Sequence, residues 1–112
     1  MRGKLSQLAV MNVDEGEEIV GGWATPHIPE VGIYKLLVKK RTDGKFEWAH
    51  FIQRDSGLKE RVMRGVTDSR EQIDWLIESA NRNLKRLFGV TMQLAGYNMY
   101  TLDGERISSI KH

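Results

Sequence analysis

Hydrophobic and polar residues alternate most regularly in the middle of the chain. Residues 33–41 and 46–54 each read as a strand, and residues 58–66 read as a third, weaker strand that mixes charged residues with Val and Met. The first turn contains Asp43-Gly44, a pair that tolerates the positive φ angles of tight hairpins. Because strands joined by short turns pair antiparallel, this pattern predicts a three-stranded meander.

A helical period replaces this alternation towards the C-terminus. The apolar residues that recur at helical spacing are Ile73, Leu76, Ile77, Ala80, Leu84, Leu87 and Phe88. Asp68 can cap the helix, and Glu71 completes a pair similar to a capping box. Gly89 can supply the left-handed residue that ends many helices. We therefore predict one amphipathic helix over residues 69–88.

Short apolar segments at both ends of the chain predict further strands. Residues 5–13 read as a strand, although a short helix fits their pattern as well. Residues 90–95 read as another strand, and residues 97–102 and 105–110 read as a hairpin around a second Asp-Gly pair. The chain therefore contains one long helix among six or seven expected strands.

These elements predict an α+β fold, with an antiparallel sheet packed against the long helix. The sheet is expected to comprise the meander over residues 33–66 and the terminal strands. The 112 residues of the chain fit a single domain, 1–112. Within it we distinguish an acidic N-terminal segment 1–32, a basic sheet, the helix, and C-terminal strands over residues 90–110.

Charge is distributed unevenly, although the whole chain has a net charge of only +2. Residues 1–32 carry two basic and five acidic side chains, a net charge of −3. Residues 33–64 carry nine basic and four acidic side chains, a net charge of +5, and residues 65–112 carry six of each. The net charge of the whole chain excludes a globally basic protein, but it is compatible with a basic face on one part of the surface.

Strand alternation places positive charge on one face of the predicted meander. Three cations share one face of the first strand, and the second strand carries an aromatic ring on either face. Such a surface contacts phosphates through Lys and Arg and bases through stacking. The alternative is a solvated face that protects the sheet edge from aggregation. The candidate nucleic-acid-binding residues are Lys35, Lys39, Arg41, Arg54 and Arg61.

Several of these residues fall in a familiar order. The chain shows Lys39 and Arg41, Gly44-Lys45-Phe46, Arg54-Asp55, Arg61-Val62, Gly65, and Asp68 with Glu71. Over residues 32–88 this order resembles the three-stranded-sheet-plus-helix DNA-binding domain of plant ethylene-response factors and the arm-binding domain of phage integrases. The resemblance implies a sheet lying in the DNA major groove. The chain departs from it in a longer second strand, and in Asp43 and Met63, where ethylene-response factors carry tryptophan.

One large aromatic residue lies on the polar side of the predicted helix. At about 100° per residue, Trp75 lies about 200° around the helix from Ile73, opposite the apolar stripe. Arg82 and Arg86 share its sector, and Trp and Arg are enriched at binding hot spots. Trp75, Arg82 and Arg86 are therefore a candidate protein interface, for a homodimer or another protein partner. Alternatively, a terminal strand or the Trp23 loop covers Trp75 within the monomer.

Motifs of catalysis and metal binding do not stand out. The absence of cysteine excludes disulfides, thiolate zinc sites and a Cys nucleophile. His27, His50 and His112 are too scattered for a metal site, and no phosphate-binding loop occurs. We expect no catalytic residue, no metal and no cofactor. Because no apolar run approaches about 20 residues, a cytoplasmic protein with no membrane partner is expected.

The sequence thus predicts a small, non-enzymatic nucleic-acid-binding protein that uses a basic and aromatic sheet face. The alternative is a protein-interaction adaptor, or a small subunit of a larger assembly, that uses the helix face of Trp75. The acidic N-terminal segment affects the first prediction, because it can lie across the basic sheet and mask it.

Overall fold

Between residues 11 and 95 the fold consists of one antiparallel sheet and one helix. The computed structural model describes residues 11–95. Its elements are β1 (Glu18–Ala24), β2 (Ile33–Lys40), β3 (Phe46–Gln53), β4 (Lys59–Thr67), α1 (Arg70–Phe88) and β5 (Gln93–Leu94). In this part of the chain the strands form a five-stranded sheet in the order β4-β3-β2-β1-β5. The predicted α+β fold, with its sheet packed against one helix, is confirmed.

The central meander follows the predicted turns. Gly44 has a φ of 87°, and the amide of Lys45 donates to the Asp43 carboxylate at 3.0 Å. This Asp-Gly turn sets the register of β2 against β3, in which Val38 lies opposite Trp48. Register fixes the face on which every later side chain of both strands lies, because strand side chains alternate.

The N-terminal flank differs from prediction. β1 lies in a segment for which no strand was predicted, and its Gly21 and Gly22 have low strand propensity. It forms a strand nonetheless, since it pairs antiparallel with β2 and places Trp23 opposite Leu36. Residues 11–13 are not in a strand, and the rest of the predicted strand 5–13 lies outside the described residues.

The strand that follows α1 is shorter than predicted. Only Gln93–Leu94 of the predicted strand 90–95 pairs, and it pairs with β1. The predicted hairpin over residues 97–110 lies outside the described residues. Strands from both flanks therefore join the central meander.

α1 packs its apolar stripe on one face of the sheet. Ile73 is 0% exposed and Leu84 is 4% exposed, and they meet Leu36 and Val38 of β2. Further members of this core are Val20, Trp23, Tyr34, Phe46, Trp48, Leu76, Ile77, Ala80, Phe88 and Met92. The hydrophobic stripe predicted from helical spacing is therefore the packing face of α1.

The caps of α1 explain its length. Ser69, and not the predicted Asp68, is the N-cap, because its hydroxyl accepts from the amide of Gln72 at 3.3 Å. The helix therefore starts one residue later than predicted. Gly89 ends it in the left-handed conformation, with φ of 75°, and donates to the carbonyl of Lys85. This C-cap is the predicted one.

The opposite sheet face, which we call the far face, carries a second, smaller core. Leu37, Ala49 and Phe51 of β2 and β3 meet Met11 and Ile19 there, and Val13 packs against the cluster. Phe51 is 3% exposed. The N-terminal segment therefore covers the middle of a face that strand alternation alone assigns to solvent.

Candidate nucleic-acid interface

Four cationic side chains lie on the far face beside β3. Phe51 lies between Lys35 of β2 and Arg61 of β4, because it is the cross-strand partner of both. Arg64 is opposite Ala49, and Lys59 is opposite Gln53. Since directly opposite residues share a face, these cations lie together on the far face. We call Lys35, Lys59, Arg61 and Arg64 the basic strip.

A β-bulge brings Arg61 and Arg64 to the same face. Arg61 pairs with Phe51 and Met63 pairs with His50, so Val62 is an extra residue in β4. Without the bulge, residues three apart would point to opposite faces. The sequence gives no direct signal for this insertion, and Arg64 was therefore absent from the predicted site. Lys59 was also missed, although ordinary alternation places it beside Arg61.

The charges of the basic strip lack compensation within the described part of the chain. None of its members forms an ion pair with another residue between 11 and 95. The Lys35 ammonium donates to the amide oxygen of Gln53 at 2.7 Å. Burial lowers the pKa of Lys35, and the nearby positive charge of Lys59 lowers it further. The strip is therefore a set of like charges that a bound anion would stabilise.

Lys39 does not belong to this surface, and the prediction of its exposure was wrong. It lies on the far face, but it is only 3% exposed. Its ammonium lies 2.6 Å from the Glu17 carboxylate and 3.5 Å from that of Glu47, and it also donates to the carbonyl of Asn12. Because the N-terminal segment covers this end of the face, Lys39 binds carboxylates of its own chain.

The two remaining predicted cations lie at strand ends and have partners. Arg41 follows β2 and contacts the Asp43 carboxylate at 2.8 Å in the turn. Arg54 follows β3 and contacts the Glu60 carboxylate at 2.9 Å, and it also donates to the carbonyl of Val31. Of the five predicted residues, the structure therefore brings only Lys35 and Arg61 into one unpaired cationic surface.

Aromatic rings do not accompany the basic strip, contrary to prediction. The aromatic residues of β3 fall on both faces, but Trp48 is 8% exposed under α1 and Phe51 is 3% exposed under the N-terminal segment. Both faces of this strand are covered, so neither ring can stack on a base. The strip offers charge for phosphates without a stacking platform beside it.

The outer face of α1 carries the second candidate site. Trp75 is 59% exposed, so neither β1 nor the loop after Trp23 covers it. Arg82 and Arg86 are exposed as well, and Arg86 donates to the side chain of Asn83 at 3.0 Å. Within residues 11–95 this predicted sector of the helix is therefore open to a partner.

Residues 11–95 contain neither a cluster of metal ligands nor a helix suited to a membrane. Between residues 11 and 95, no three His, Asp or Glu side chains come together in a way that could hold a metal ion. No helix in the same part of the chain has the length and apolar character needed to cross a membrane.

Comparisons with protein-family models, with curated proteins and with solved structures gave no match. The resemblance to ethylene-response factors and phage integrases therefore stays a prediction.

Proposed function

We propose that the protein binds nucleic acid through the phosphate backbone, and that the basic strip forms the contact surface. The observation that carries the proposal is the strip itself, four cations on one sheet face without a carboxylate partner among the described residues. Phosphate contacts supply most of the affinity of sequence-independent binding.

The dimensions of the strip suit a nucleic-acid strand. Lys59, Arg61 and Arg64 follow one another along β4, and at a rise of about 3.3 Å per residue the five steps between the outer two span at most about 16 Å. Measured along the helix axis, one strand of a duplex carries about four phosphates over such a length. Lys35 on β2 widens the surface across Phe51. A strip of this size contacts a few phosphates at once.

The covered rings indicate the kind of recognition. Sequence is read through base edges or through stacking, whereas phosphate contacts only position the protein. Because Phe51 and Trp48 are buried, the far face lacks an exposed ring within the described residues. We therefore expect weak dependence on base sequence and affinities typical of non-specific binding, with dissociation constants of about 10⁻⁶ to 10⁻⁴ M.

A salt titration tests this proposal. Fluorescence anisotropy with labelled single- and double-stranded DNA and RNA, between about 50 and 200 mM salt, should give a linear fall of log K with log salt. Four phosphate contacts predict a slope of about −3 to −4. Arg64→Gln should reduce the steepness of that slope by about 0.7 to 0.9.

Lys85→Gln on α1 is the matched control, because it removes the same charge from an exposed position away from the far face. It should leave the slope unchanged. Absence of binding at about 50 mM salt, or equal effects of Arg64→Gln and Lys85→Gln, would contradict the proposal.

A second function is favoured by Trp75. A tryptophan that is 59% exposed on a helix, with two arginines in its sector, has the composition of a protein-binding hot spot. We propose that the protein also acts as an interaction adaptor through this face. Its partner binding should respond to Trp75→Ala and be insensitive to Arg64→Gln, which can be measured by calorimetry with a purified partner.

A further inference from the structure

The outer face of α1 has a symmetric arrangement of residues. Six exposed residues form a stripe that we call the outer stripe: Glu71, Trp75, Glu78, Ser79, Arg82 and Arg86. At about 100° per residue they fall within about 100° of one another. Their successive spacings read the same in both directions along the helix. The midpoint lies between Glu78 and Ser79.

Charge reverses across this midpoint. Glu71 and Glu78 lie in the N-terminal half of the outer stripe, and Arg82 and Arg86 lie in the C-terminal half. Glu71, Glu78 and Arg82 form no ion pair with another described residue, and Trp75 makes no ring contact within residues 11–95. The charges and the ring are therefore available to a partner.

We propose that the outer stripe binds a second copy of this chain, with the two α1 helices antiparallel around a twofold axis. This proposal rests on the second function proposed above and names its partner. With the axis between Glu78 and Ser79, Trp75 of each copy lies opposite Arg82 of the other. Glu71 of each copy lies opposite Arg86 of the other.

The contacts of this arrangement are complementary in both directions. Each tryptophan meets a guanidinium, which favours stacking through the cation–π interaction. Glu71 of each copy meets Arg86 of the other copy. Arg86 then gives up its hydrogen bond to the Asn83 side chain and binds the Glu71 carboxylate instead. A twofold axis repeats both contacts, as isologous dimers require. A parallel arrangement of the two helices would instead place like charges together. Dimerisation through the sheet edge is also disfavoured, because the edge strand β4 carries the cations Lys59, Arg61 and Arg64.

The interface is small. It involves one helix face and one large apolar side chain from each copy, so we expect a weak dimer with a dissociation constant in the micromolar range. Contact along the whole outer stripe also requires nearly antiparallel axes, because helices that cross at about 50° separate within two or three turns.

Sedimentation equilibrium over the micromolar range tests the proposal with charge reversals. Wild type should shift from one to two chains as concentration rises. Glu71→Arg and Arg86→Glu should each weaken dimerisation by about tenfold or more, because each creates like-charge pairs. The double variant Glu71→Arg/Arg86→Glu should recover dimerisation, and Trp75→Ala should weaken it.

Asp74→Arg and Lys85→Glu are matched controls, because both positions are exposed on α1 but lie outside the outer stripe. They should dimerise like wild type, and far-UV circular dichroism should show equal helix content in all variants. A wild type that stays monomeric at high micromolar concentration would overturn the second copy as partner, while binding of another protein through Trp75 would stand. Failure of the double variant to recover would overturn the antiparallel register.

Discussion

The Lys39 ammonium lies 2.6 Å from the Glu17 carboxylate, and their side chains are only 4% and 10% exposed. The contact joins β2 to the N-terminal segment across the far face. Asn12 contributes its carbonyl to the same ammonium, and Ile19, a member of the far-face core, is the cross-strand partner of Lys39. An ion pair next to the far-face core therefore holds the N-terminal segment over the middle of the far face.

The first prediction concerns pH and Glu17. The hydrogen bond from Lys39, and next that from the Asp14 amide, lower the pKa of Glu17 below its ordinary 4.5. A lowered pKa in the folded state stabilises the protein fully above the unfolded value and loses that contribution as pH falls through the folded value. We expect the free energy of unfolding to decline below about pH 4.5, and the decline should be smaller in Glu17→Gln.

Urea denaturation between about pH 6 and pH 3 measures this difference. Asp43→Asn is the control, because the pKa of Asp43 is also lowered, chiefly by the hydrogen bond from the Lys45 amide, and its partners are Lys45 and Arg41 instead of Lys39. Combining both substitutions should add their effects on the pH dependence. Identical acid profiles for wild type and Glu17→Gln would show that the carboxylate does not stabilise the fold.

Much of the fold follows from local patterns in the sequence. β2, β3 and α1 could be predicted because strand alternation, an Asp-Gly turn and helical spacing are properties of adjacent residues. β1 could not, since Gly21 and Gly22 have low strand propensity and the pairing with β2 decides their conformation.

The site was harder to predict because its geometry depends on distant contacts. Lys39 alternates like a solvent-facing lysine, but Glu17 comes from another part of the chain to bury it. Arg64 reaches the basic strip only through the bulge at Val62, which no residue pattern marks. Trp75, by contrast, was placed correctly because helical spacing is local and regular.

The second prediction concerns the buried histidine of β3. His50 packs against Tyr34 with ring centroids 5.7 Å apart, and its Nε2 atom lacks a hydrogen-bond partner among residues 11–95. Burial lowers its pKa below the ordinary 6.5. Because the unfolded state then binds the proton more readily, stability should fall as pH drops through about 6.5. His50→Phe should remove this part of the pH dependence.

Thermal unfolding at about pH 7.5 and pH 5.5 separates this effect from that of Glu17, which titrates lower. The exposed His27 is the control, because it contacts the Asp55 carboxylate on the surface at 2.7 Å. If His50→Phe loses as much stability as wild type over this interval, another group accounts for the pH dependence.

The third prediction concerns Gly65, which lies under an indole. A Cβ atom at this position would approach the Cζ2 atom of Trp48 to 2.9 Å. Trp48 is 8% exposed beneath α1 and cannot move without repacking the core. We expect Gly65→Ala to destabilise the fold by about 1 to 3 kcal/mol. Val66→Ala, at the next and exposed position, should change stability by less than about 0.5 kcal/mol.

Urea denaturation followed by tryptophan fluorescence measures both variants. Equal stability of Gly65→Ala and Val66→Ala would mean that the indole yields to the added methyl group. In that case the close contact between Gly65 and Trp48 would not fix the position of β4, the edge strand that carries most of the basic strip.

The fourth prediction concerns the acidic turn of the N-terminal segment. Removing this segment would expose the far-face core, because Met11 and Ile19 are buried in it. Its exposed carboxylates offer a cleaner test. Asp14→Asn/Glu15→Gln should strengthen nucleic-acid binding at low salt by about two- to threefold, because two negative charges disappear from the segment that covers the middle of the far face. The gain should vanish at high salt.

Asp74→Asn on α1 is the control, since it removes an exposed carboxylate remote from the far face. Anisotropy titrations at about 50 and 300 mM salt compare the variants. A double variant that binds like wild type at low salt would show that the acidic turn does not mask the basic strip.

The last prediction joins the two proposed sites. α1 covers one face of the sheet, and the basic strip lies on the other. Pairing of two copies through their outer stripes therefore leaves the two far faces on opposite outer surfaces of the dimer. Such a dimer should hold two nucleic-acid molecules apart from each other, whereas a monomer holds one. Immobilised DNA should then retain a second, fluorescent DNA only in the presence of dimeric protein.

Arg86→Glu should abolish this bridging, and Glu71→Arg/Arg86→Glu should restore it. Lys85→Glu makes the same change of charge outside the outer stripe, so it corrects for any general loss of attraction to DNA. Arg64→Gln should weaken bridging together with binding, because it acts on the basic strip. The two variants Arg86→Glu and Lys85→Glu should differ in bridging while binding DNA equally well. If both retain the second DNA to the same extent, bridging does not depend on pairing of the outer stripes, and the proposed dimer with its far faces on opposite surfaces is wrong.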